Sequence, residues 1–272
     1  MKLLFFSGGP GLNPRGEEVL LSAPLQAAGF EPHFFYEPSR LRPEGSAYQS
    51  DDAYGNYLHH AERALDAVAD DAATLAGHSF GCHAVHHLAL QFPDRVSSAA
   101  FIASGLVIRA ADRNMMEVAR ADFAAERDPR AERLAELLTL YSGEFDSATE
   151  AAFRLIGDDS RLYEHYWSRK DSMAEYFGCL SDPRYVFDVD CFFDVRRSYR
   201  PPAQQRSTVP ALALFGEGDE IISADAEVEF LERCYPDLRT TTFRGAGHYP
   251  HVENREQFVE VLSELVQDVS RR

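Results

Sequence analysis

The feature that most constrains the fold is an alternation of short apolar runs with amphipathic segments along most of the chain. The apolar runs have the length of strands, and most of them end at glycine-rich turns. Predicted strands cover residues 3–6, 32–36, 72–76, 96–103, 210–215 and 238–243. Predicted helices cover residues 17–28, 51–68, 80–92 and 254–269. Such alternation predicts an α/β protein whose mostly parallel sheet is flanked by crossover helices.

The alternation stops in the middle of the chain. Residues 107–206 contain no convincing strand and are rich in aromatic residues, with helical patterns at 112–125 and 131–141. Pro201 and Pro202 mark the return to the sheet pattern. We therefore predict a core made of residues 1–106 and 207–272, with residues 107–206 inserted as a helical cap.

Net charge and cysteine content limit which binding partners and which cellular compartment are expected. A formal net charge of −17 argues against nucleic acid or an anionic membrane as partner. It could simply serve solubility, or acids in the helical stretch could line a site for a cationic substrate. The apolar run at 3–6 is too short for a signal peptide or a membrane span. The four cysteines form no CxxC pair, which predicts reduced thiols and a cytoplasmic protein.

The most informative motif follows the third predicted strand. Gly77, Ser79 and Gly81 form a G-x-S-x-G pattern between an apolar strand and a helix. In that context the serine sits on a strained, tight turn that exposes its hydroxyl group beside the N-terminus of a helix. Ser79 is therefore the predicted nucleophile, and the small thiol of Cys82 is predicted to be buried and inert.

A serine hydroxyl group needs a general base, and the base needs an acid to orient it. The strand at 210–215 runs into a loop in which Asp219 is the predicted acid, with Glu217 and Glu220 as competitors. The strand at 238–243 leads to His248, the predicted base, with His251 as a distant alternative. The order serine, acid, histidine is the one expected when the serine lies on a tight strand-to-helix turn of this kind, which we call the elbow.

The loop after the first strand is the candidate oxyanion site. Ser7, Gly8, Gly9, Pro10 and Gly11 follow a strand that we expect to lie beside the elbow strand. An oxyanion hole needs two backbone donors. We predict the N–H groups of Gly9 and Phe80 for this role.

Together these motifs resemble those of the α/β-hydrolase superfamily over nearly the whole chain. The glycine-rich loop and the helical cap are similar to those of the proline iminopeptidase-like S33 peptidases. Ser7 stands where those peptidases usually have histidine, and Gly77-His78-Ser79-Phe80-Gly81 differs from their usual elbow. The chain begins at what resembles the third strand of that family, so the leading β-hairpin is expected to be absent.

The resemblance implies a serine hydrolase that forms an acyl-enzyme on a small ester, lactone, thioester or amide, with an aminopeptidase as its most specific version. The substrate would be a small molecule or a short peptide. Acyl transfer, carbon–carbon bond hydrolysis and a non-catalytic ligand receptor remain open. In the related peptidases, glutamates of the cap bind the substrate amine; Glu150, Glu164, Asp188 and Asp190 could not be aligned with them.

No cofactor and no metal are predicted, and the oligomeric state stays open. His83 and His87 have the i, i+4 spacing of a metal pair but lack the glutamate of H-E-x-x-H. These histidines and His86 are predicted to lie on a helix surface.

Overall fold

The computed structural model describes residues 1–37, 51–68, 71–157, 160–181 and 187–270, and its centre is a six-stranded parallel sheet. The strand order is β2-β1-β3-β4-β5-β6. The strands are β1 (Lys2–Phe6), β2 (Glu31–Phe35), β3 (Ala73–His78), β4 (Val96–Ile102), β5 (Ala211–Gly216) and β6 (Arg239–Phe243). All neighbouring pairs are parallel, which confirms the predicted α/β class.

β3 lies inside the sheet, between β1 and β4. In the register, Phe6 of β1 pairs with Gly77 of β3, so the loop after β1 lies beside the turn after β3, as expected. Since all strands point the same way, the loops that follow β1, β3, β5 and β6 meet at one edge of the sheet. Every predicted site residue is on one of these loops.

Helices cover both faces of the sheet. The core helices are α1 (Arg15–Ala27), α2 (Ala53–Val68), α3 (Cys82–Gln91), α9 (Ala224–Cys234), α10 (Pro250–Glu253) and α11 (Arg255–Ser270). Leu21 of α1 and Phe258 of α11 share one buried cluster with Phe5, whereas Tyr57 of α2 and Val85 of α3 share another with the next strand residue, Phe6. Neighbouring strand residues point to opposite faces of the sheet, and helices bury both faces. The run at residues 3–6 of β1 is therefore apolar throughout.

Between β4 and β5 the described residues form helices and no strand. These helices are α4 (Ile108–Ala125), α5 (Arg130–Leu140), α6 (Ser147–Ile156), α7 (Lys170–Cys179) and α8 (Val189–Arg197). We call residues 108–197 the helical segment. α4, α5 and α6 have a buried cluster of their own, which includes Met116, Phe123, Leu134 and Ile156. The division of the chain into a core and a cap domain remains a prediction, and residues 158–159 and 182–186 of the predicted cap lie outside the described residues.

One prediction about α3 is wrong. His83 and His86 are buried, not on the surface, and only His87 is partly exposed. His83 bonds to the Gly105 carbonyl oxygen at 3.1 Å, and His86 contacts the Tyr235 hydroxyl group at 2.9 Å. Because α3 is covered on more than one side, these histidines are buried, and their ring nitrogens find hydrogen-bond partners inside the protein. In the part of the chain that the structure describes, no helix is long and apolar enough to cross a bilayer.

Candidate active site

Ser79 occupies a backbone conformation that few residues other than glycine adopt. Its φ angle is +51° at the end of β3, where the chain turns directly into α3. The turn is tight because a Cβ atom on Gly81 would lie 2.3 Å from the Phe6 carbonyl oxygen, and one on Gly77 would lie 2.7 Å from the Gly81 carbonyl oxygen. Both glycines are therefore needed for close approach, as the motif predicts. Cys82, the next residue, is fully buried as expected.

Asp219 and His248 form a buried pair. His248 Nδ1 lies 2.9 Å from Asp219 Oδ2, and each side chain is only 4% exposed. The other carboxylate oxygen of Asp219 accepts backbone N–H groups from Ile221 at 2.9 Å and from Ile222 at 3.0 Å. These two bonds fix the carboxylate group, which in turn fixes the orientation of the imidazole ring.

The competing residues have other partners. Glu217 accepts the Gly245 N–H group at 3.3 Å, and Glu220 contacts His165 Nδ1 at 2.6 Å. His251 is fully buried, and its nearest acidic group is Glu17. Of the candidates in these loops, only Asp219 and His248 are brought together.

The two predicted oxyanion donors lie near Ser79. Gly9 and Phe80 line the same pocket as Ser79 and His248, and Gly9 has a φ of +127°. A Cβ atom on Gly8 would lie 3.3 Å from Ser79 Cβ, so the loop after β1 approaches the elbow closely. Among the described residues, no hydrogen bond joins the Ser79 hydroxyl group to His248. Such bonds often shorten only when substrate binds, so the geometry is compatible with Ser79 and His248 acting as a catalytic pair.

The pocket at this edge has a volume of about 440 Å³ and is mostly apolar. The sheet loops and the helical segment both contribute to its wall. Apolar and aromatic side chains dominate, among them Leu12, Ile108, Met115, Phe153, Leu162, Tyr163, Tyr166, Trp167, Phe177, Phe187, Phe192 and Ile222. Its charged lining residues are Arg154 and Arg196, and no carboxylate among the described residues lines it.

Both arginines are paired within the helical segment. Arg196 is buried and forms two hydrogen bonds to Asp112, at 3.0 and 2.6 Å. Arg154 bonds to Glu150 at 2.9 Å and is about half exposed. The Arg196–Asp112 pair joins α8 to α4 at the wall of the pocket, a contact that sequence spacing did not reveal.

None of the four acidic residues considered as amine ligands reaches the pocket. Glu150 pairs with Arg154 and Arg197, and Glu164 pairs with Lys170. Asp188 accepts the Cys191 N–H group at 3.0 Å and so caps the start of α8. Neither Asp188 nor Asp190 is among the pocket-lining residues. The predicted alternative of an acid-lined cationic site is therefore not supported within the described residues.

Backbone contacts hold the loop that carries His248. The His248 N–H group donates to the Tyr166 carbonyl oxygen at 2.8 Å, and the preceding Gly247 N–H group donates to Glu253 at 2.6 Å. Glu253 also accepts the Arg169 N–H group at 2.7 Å. Burial raises the pKa of Glu253. The helical segment thus supports the position of the predicted base directly.

Another buried carboxylate, which the sequence did not single out, supports the loop after β4. Glu227 of α9 accepts hydrogen bonds from the Ser104 hydroxyl group at 2.8 Å and the backbone N–H groups of Leu106 at 3.2 Å and Val107 at 2.7 Å. Burial raises the pKa of Glu227 to about 7. A glutamate in an amphipathic helix gives no signal in sequence that it turns inward.

The chain belongs to the alpha/beta hydrolase fold family, whose model matches residues 37–255. Members of this fold are generally hydrolytic enzymes. No curated protein matches the sequence significantly.

Solved structures of this fold superpose over nearly the whole chain. A proline iminopeptidase from Mycobacterium smegmatis is 17% identical with a TM-score of 0.66, covering 99% of this chain and 90% of its own. A putative aryl esterase from Burkholderia cenocepacia is 16% identical with a TM-score of 0.63, covering 100% and 91%. A monoacylglycerol lipase from Paleococcus ferrophilus is 18% identical with a TM-score of 0.62, covering 100% and 95%. At these identities the likeness establishes the fold alone.

Proposed function

We propose that the protein is a serine hydrolase that acts through an acyl-enzyme on Ser79. The observation that carries the proposal is the buried 2.9 Å contact between His248 Nδ1 and Asp219 Oδ2, because His248 lines the same pocket as Ser79. A carboxylate that holds Nδ1 leaves Nε2 of the same ring free to accept a proton. Among the described residues, no other histidine of the pocket has an acidic partner.

In this mechanism Ser79 Oγ attacks the substrate carbonyl carbon while His248 Nε2 takes the hydroxyl proton. The tetrahedral intermediate collapses, and His248 gives that proton to the leaving oxygen. A water molecule then attacks the acyl-enzyme and loses a proton to His248. The second tetrahedral intermediate collapses, His248 gives this proton to Ser79 Oγ, and the acid is released. Asp219 keeps the imidazole oriented and stabilises its charged form.

The oxyanion would be held by the N–H groups of Gly9 and Phe80. Loss of one donor from such a hole typically costs on the order of 10²- to 10³-fold in kcat. Phe80 is the first residue after the nucleophile, and its N–H group lies at the start of the turn into α3, where backbone donors favour negative charge.

The pocket favours an ester with an apolar or aromatic group over a peptide with a free amine. A buried ammonium group is stabilised best by a carboxylate, and none of the described lining residues supplies one. Aromatic and aliphatic side chains instead match an apolar acyl or alcohol group. The esterase is therefore the leading version, and the aminopeptidase is the second candidate because of the likeness to a proline iminopeptidase.

A fluorophosphonate probe tests the nucleophile. Wild-type protein should gain one phosphonyl group, seen by intact mass spectrometry, and Ser79→Ala should gain none. Ser263→Ala is the matched control, because this serine lies on α11 and bonds to the Val259 carbonyl oxygen, away from the pocket. Equal labelling of wild type and Ser79→Ala would overturn the assignment of Ser79.

A substrate panel tests the class. Nitrophenyl esters of aromatic and medium-length acids should be hydrolysed with higher kcat/KM than aminoacyl naphthylamides. The reverse order would favour the aminopeptidase. Turnover that yields esters of an added alcohol would favour acyl transfer, and tight binding with no turnover of any substrate would favour a ligand receptor.

A further inference from the structure

Three buried side chains from distant parts of the chain converge behind the predicted catalytic base. They are Glu17 of α1, His78 at the end of β3 and His251 of α10, and each is at most 1% exposed. One nitrogen or oxygen atom from each lies within 4.8 Å of the others. None of these three groups has a role in the mechanism proposed above.

The facing atoms of this cluster lack hydrogen-bond partners among the described residues. They are Glu17 Oε1, His78 Nδ1 and both ring nitrogens of His251, of which only one can take part in the cluster. Glu17 Oε1 and His251 Nε2 are 3.8 Å apart, which is too long for a hydrogen bond. A buried polar group without a partner costs about 1–3 kcal/mol, and more if it is charged. At least one such atom on each of three residues whose ligand atoms lie within 4.8 Å of one another indicates a missing ligand.

The outward atoms of two of these groups are already fixed. The Tyr176 hydroxyl group donates to Glu17 Oε2 at 3.0 Å, and His78 Nε2 lies 2.8 Å from the His248 carbonyl oxygen. A carbonyl oxygen can only accept, so Nε2 carries the proton, and Nδ1 of the neutral ring keeps a lone pair that no described residue uses. Histidines that bind metals usually donate their second N–H group to a carbonyl or carboxylate oxygen in this way.

Space beside His78 Nδ1 depends on a glycine. A Cβ atom on Gly8 would lie 3.1 Å from Nδ1, closer than most Cβ contacts. The glycine therefore keeps a methyl group away from the nitrogen that would bind the ligand.

We propose that Glu17, His78 and His251 bind one divalent transition-metal ion, with Zn²⁺ as the best fit. Two imidazole nitrogens and one carboxylate oxygen form a donor set that zinc accepts, at about 2.0–2.2 Å for each bond. Two ligand atoms 3.8 Å apart can both reach an ion at such distances. Nitrogen donors argue against Mg²⁺ and Ca²⁺, which prefer oxygen.

The ion would act as a positioning element for the active site. It would join α1, the residue before the nucleophile and the helix that follows the base. Since His78 Nε2 bonds to the His248 backbone, the metal would also hold the loop of the base against the elbow. The alternative occupants are a buried water molecule and a proton shared between Glu17 and His251.

Metal content and cobalt spectroscopy test the site. Protein produced in zinc-supplemented medium and passed through a desalting column should contain about one equivalent of zinc by plasma mass spectrometry. Co²⁺ refolded into the protein should give the visible d–d absorption of a low-coordinate site. Glu17→Gln and His251→Gln should each lower the affinity for Zn²⁺ more than about tenfold, because even the loss of a residue that only orients a metal ligand costs that much. Glu18→Gln, the neighbouring carboxylate that bonds to Tyr36 instead, should keep the metal.

Refolding of the wild-type chain tests zinc binding even if those variants do not fold. Protein unfolded in denaturant with a chelator should refold to a form with a lower melting temperature. Added Zn²⁺ should raise this melting temperature again by several degrees, because a ligand that binds only the native state stabilises it. Zinc below one-tenth of an equivalent together with an unchanged melting temperature would overturn the proposal and favour water or a shared proton. Fluorophosphonate labelling of Ser79 is a separate measurement, so the two proposals can fail independently.

Discussion

The backbone of Ser79 is held in an unfavourable conformation by the residues around it. A positive φ at a residue other than glycine costs roughly 1–3 kcal/mol and persists only when the surroundings enforce it. Here Gly77 and Gly81 allow β3, the turn and the loop after β1 to come into van der Waals contact. The strain is therefore maintained by close backbone packing.

Gly81→Ala should destabilise the protein by roughly 1–3 kcal/mol, the usual range for forcing an added methyl group into a packed site. Its Cβ atom would lie 2.3 Å from the Phe6 carbonyl oxygen, so strand β1 would have to move. Urea unfolding followed by circular dichroism measures the change. Gly178→Ala is the matched control, because a Cβ atom there meets nothing within 4 Å and alanine favours a helix. Equal stability of the two variants would contradict this account of the elbow.

Asp219→Asn should reduce kcat on the order of 10⁴-fold, as found for the equivalent change in a serine-protease triad. The amide group can still accept from Ile221 and Ile222, but its NH₂ group would then face His248 Nδ1 and favour the wrong tautomer. Steady-state kinetics on a nitrophenyl ester measures the loss, and circular dichroism checks the fold. Glu217→Gln, two residues earlier in the same loop, should keep near wild-type kcat; a comparable loss in both variants would argue against Asp219 as the acid.

At the residue scale, chain order was enough to predict which side chains meet. Asp219 and His248 were predicted because each follows a strand, and parallel strands bring these ends together. The Glu17, His78 and His251 cluster was not predicted. Its members come from a helix, an elbow and a short turn of helix, and no sequence period indicates that they face one another.

Among the elements, the residues before α7 connect the helical segment to the loop of the predicted acid. His165 lies in a 3₁₀ turn at Ser160–Tyr166 and contacts Glu220 at 2.6 Å and Asp122 of α4 at 2.9 Å. Partial burial lowers the pKa of His165, but hydrogen bonds to the two carboxylates outweigh it and raise the pKa above the usual value. The imidazole ring of His165 therefore bridges the helical segment and Glu220, the residue next to Asp219.

His165→Gln should lower stability more at acidic than at alkaline pH. The pKa of this histidine is higher in the folded state, so its contribution is fully present below the unfolded value near 6.5 and is lost as pH rises through the folded pKa. The residue is partly exposed, so the difference should be at most about 1 kcal/mol. Urea unfolding of both proteins at pH 6 and pH 9 measures it. His59→Gln, an exposed histidine on α2, serves as control, and a difference that does not depend on pH would contradict the bridge.

Sequence reasoning was more accurate for the sheet than for the helical segment. All six strands were predicted within a few residues, because continuous apolar runs between turns are a strong signal. Helices α6, α7 and α8 were not located individually. They are short, and their aromatic residues contact neighbouring helices and the pocket in ways that no single period encodes, as for Tyr176, which packs against Tyr249.

For the molecule as a whole, the strong negative net charge is not repeated in the lining of the pocket. The net charge is −17, yet the charged residues that line the pocket among those described are arginines. The field of a strongly acidic protein repels anions and attracts cations at a distance, and salt screens it over about 10 Å at 0.1 M. Approach to the site and recognition inside it should therefore respond differently to salt.

Three nitrophenyl esters of similar size, one cationic, one neutral and one anionic, would expose this effect. Raising NaCl from about 10 to 300 mM should lower kcat/KM for the cationic ester and raise it for the anionic ester, each severalfold, because screening removes long-range attraction or repulsion. The neutral ester is the control and should change little. Identical salt dependence for all three would show that the net charge does not steer substrates.

The two walls of the pocket separate chemistry from selectivity in a way that matters for laboratory evolution. Ser79, Asp219 and His248 lie on sheet loops fixed by backbone contacts, whereas much of the opposite wall comes from helices of one continuous stretch between β4 and β5. A mutant library confined to that stretch, at wall positions such as Phe153, Leu162 and Phe192, would change the shape of the chamber while leaving the elbow untouched. Variants with altered substrate range should therefore be more frequent there than in an equally large library aimed at the loops.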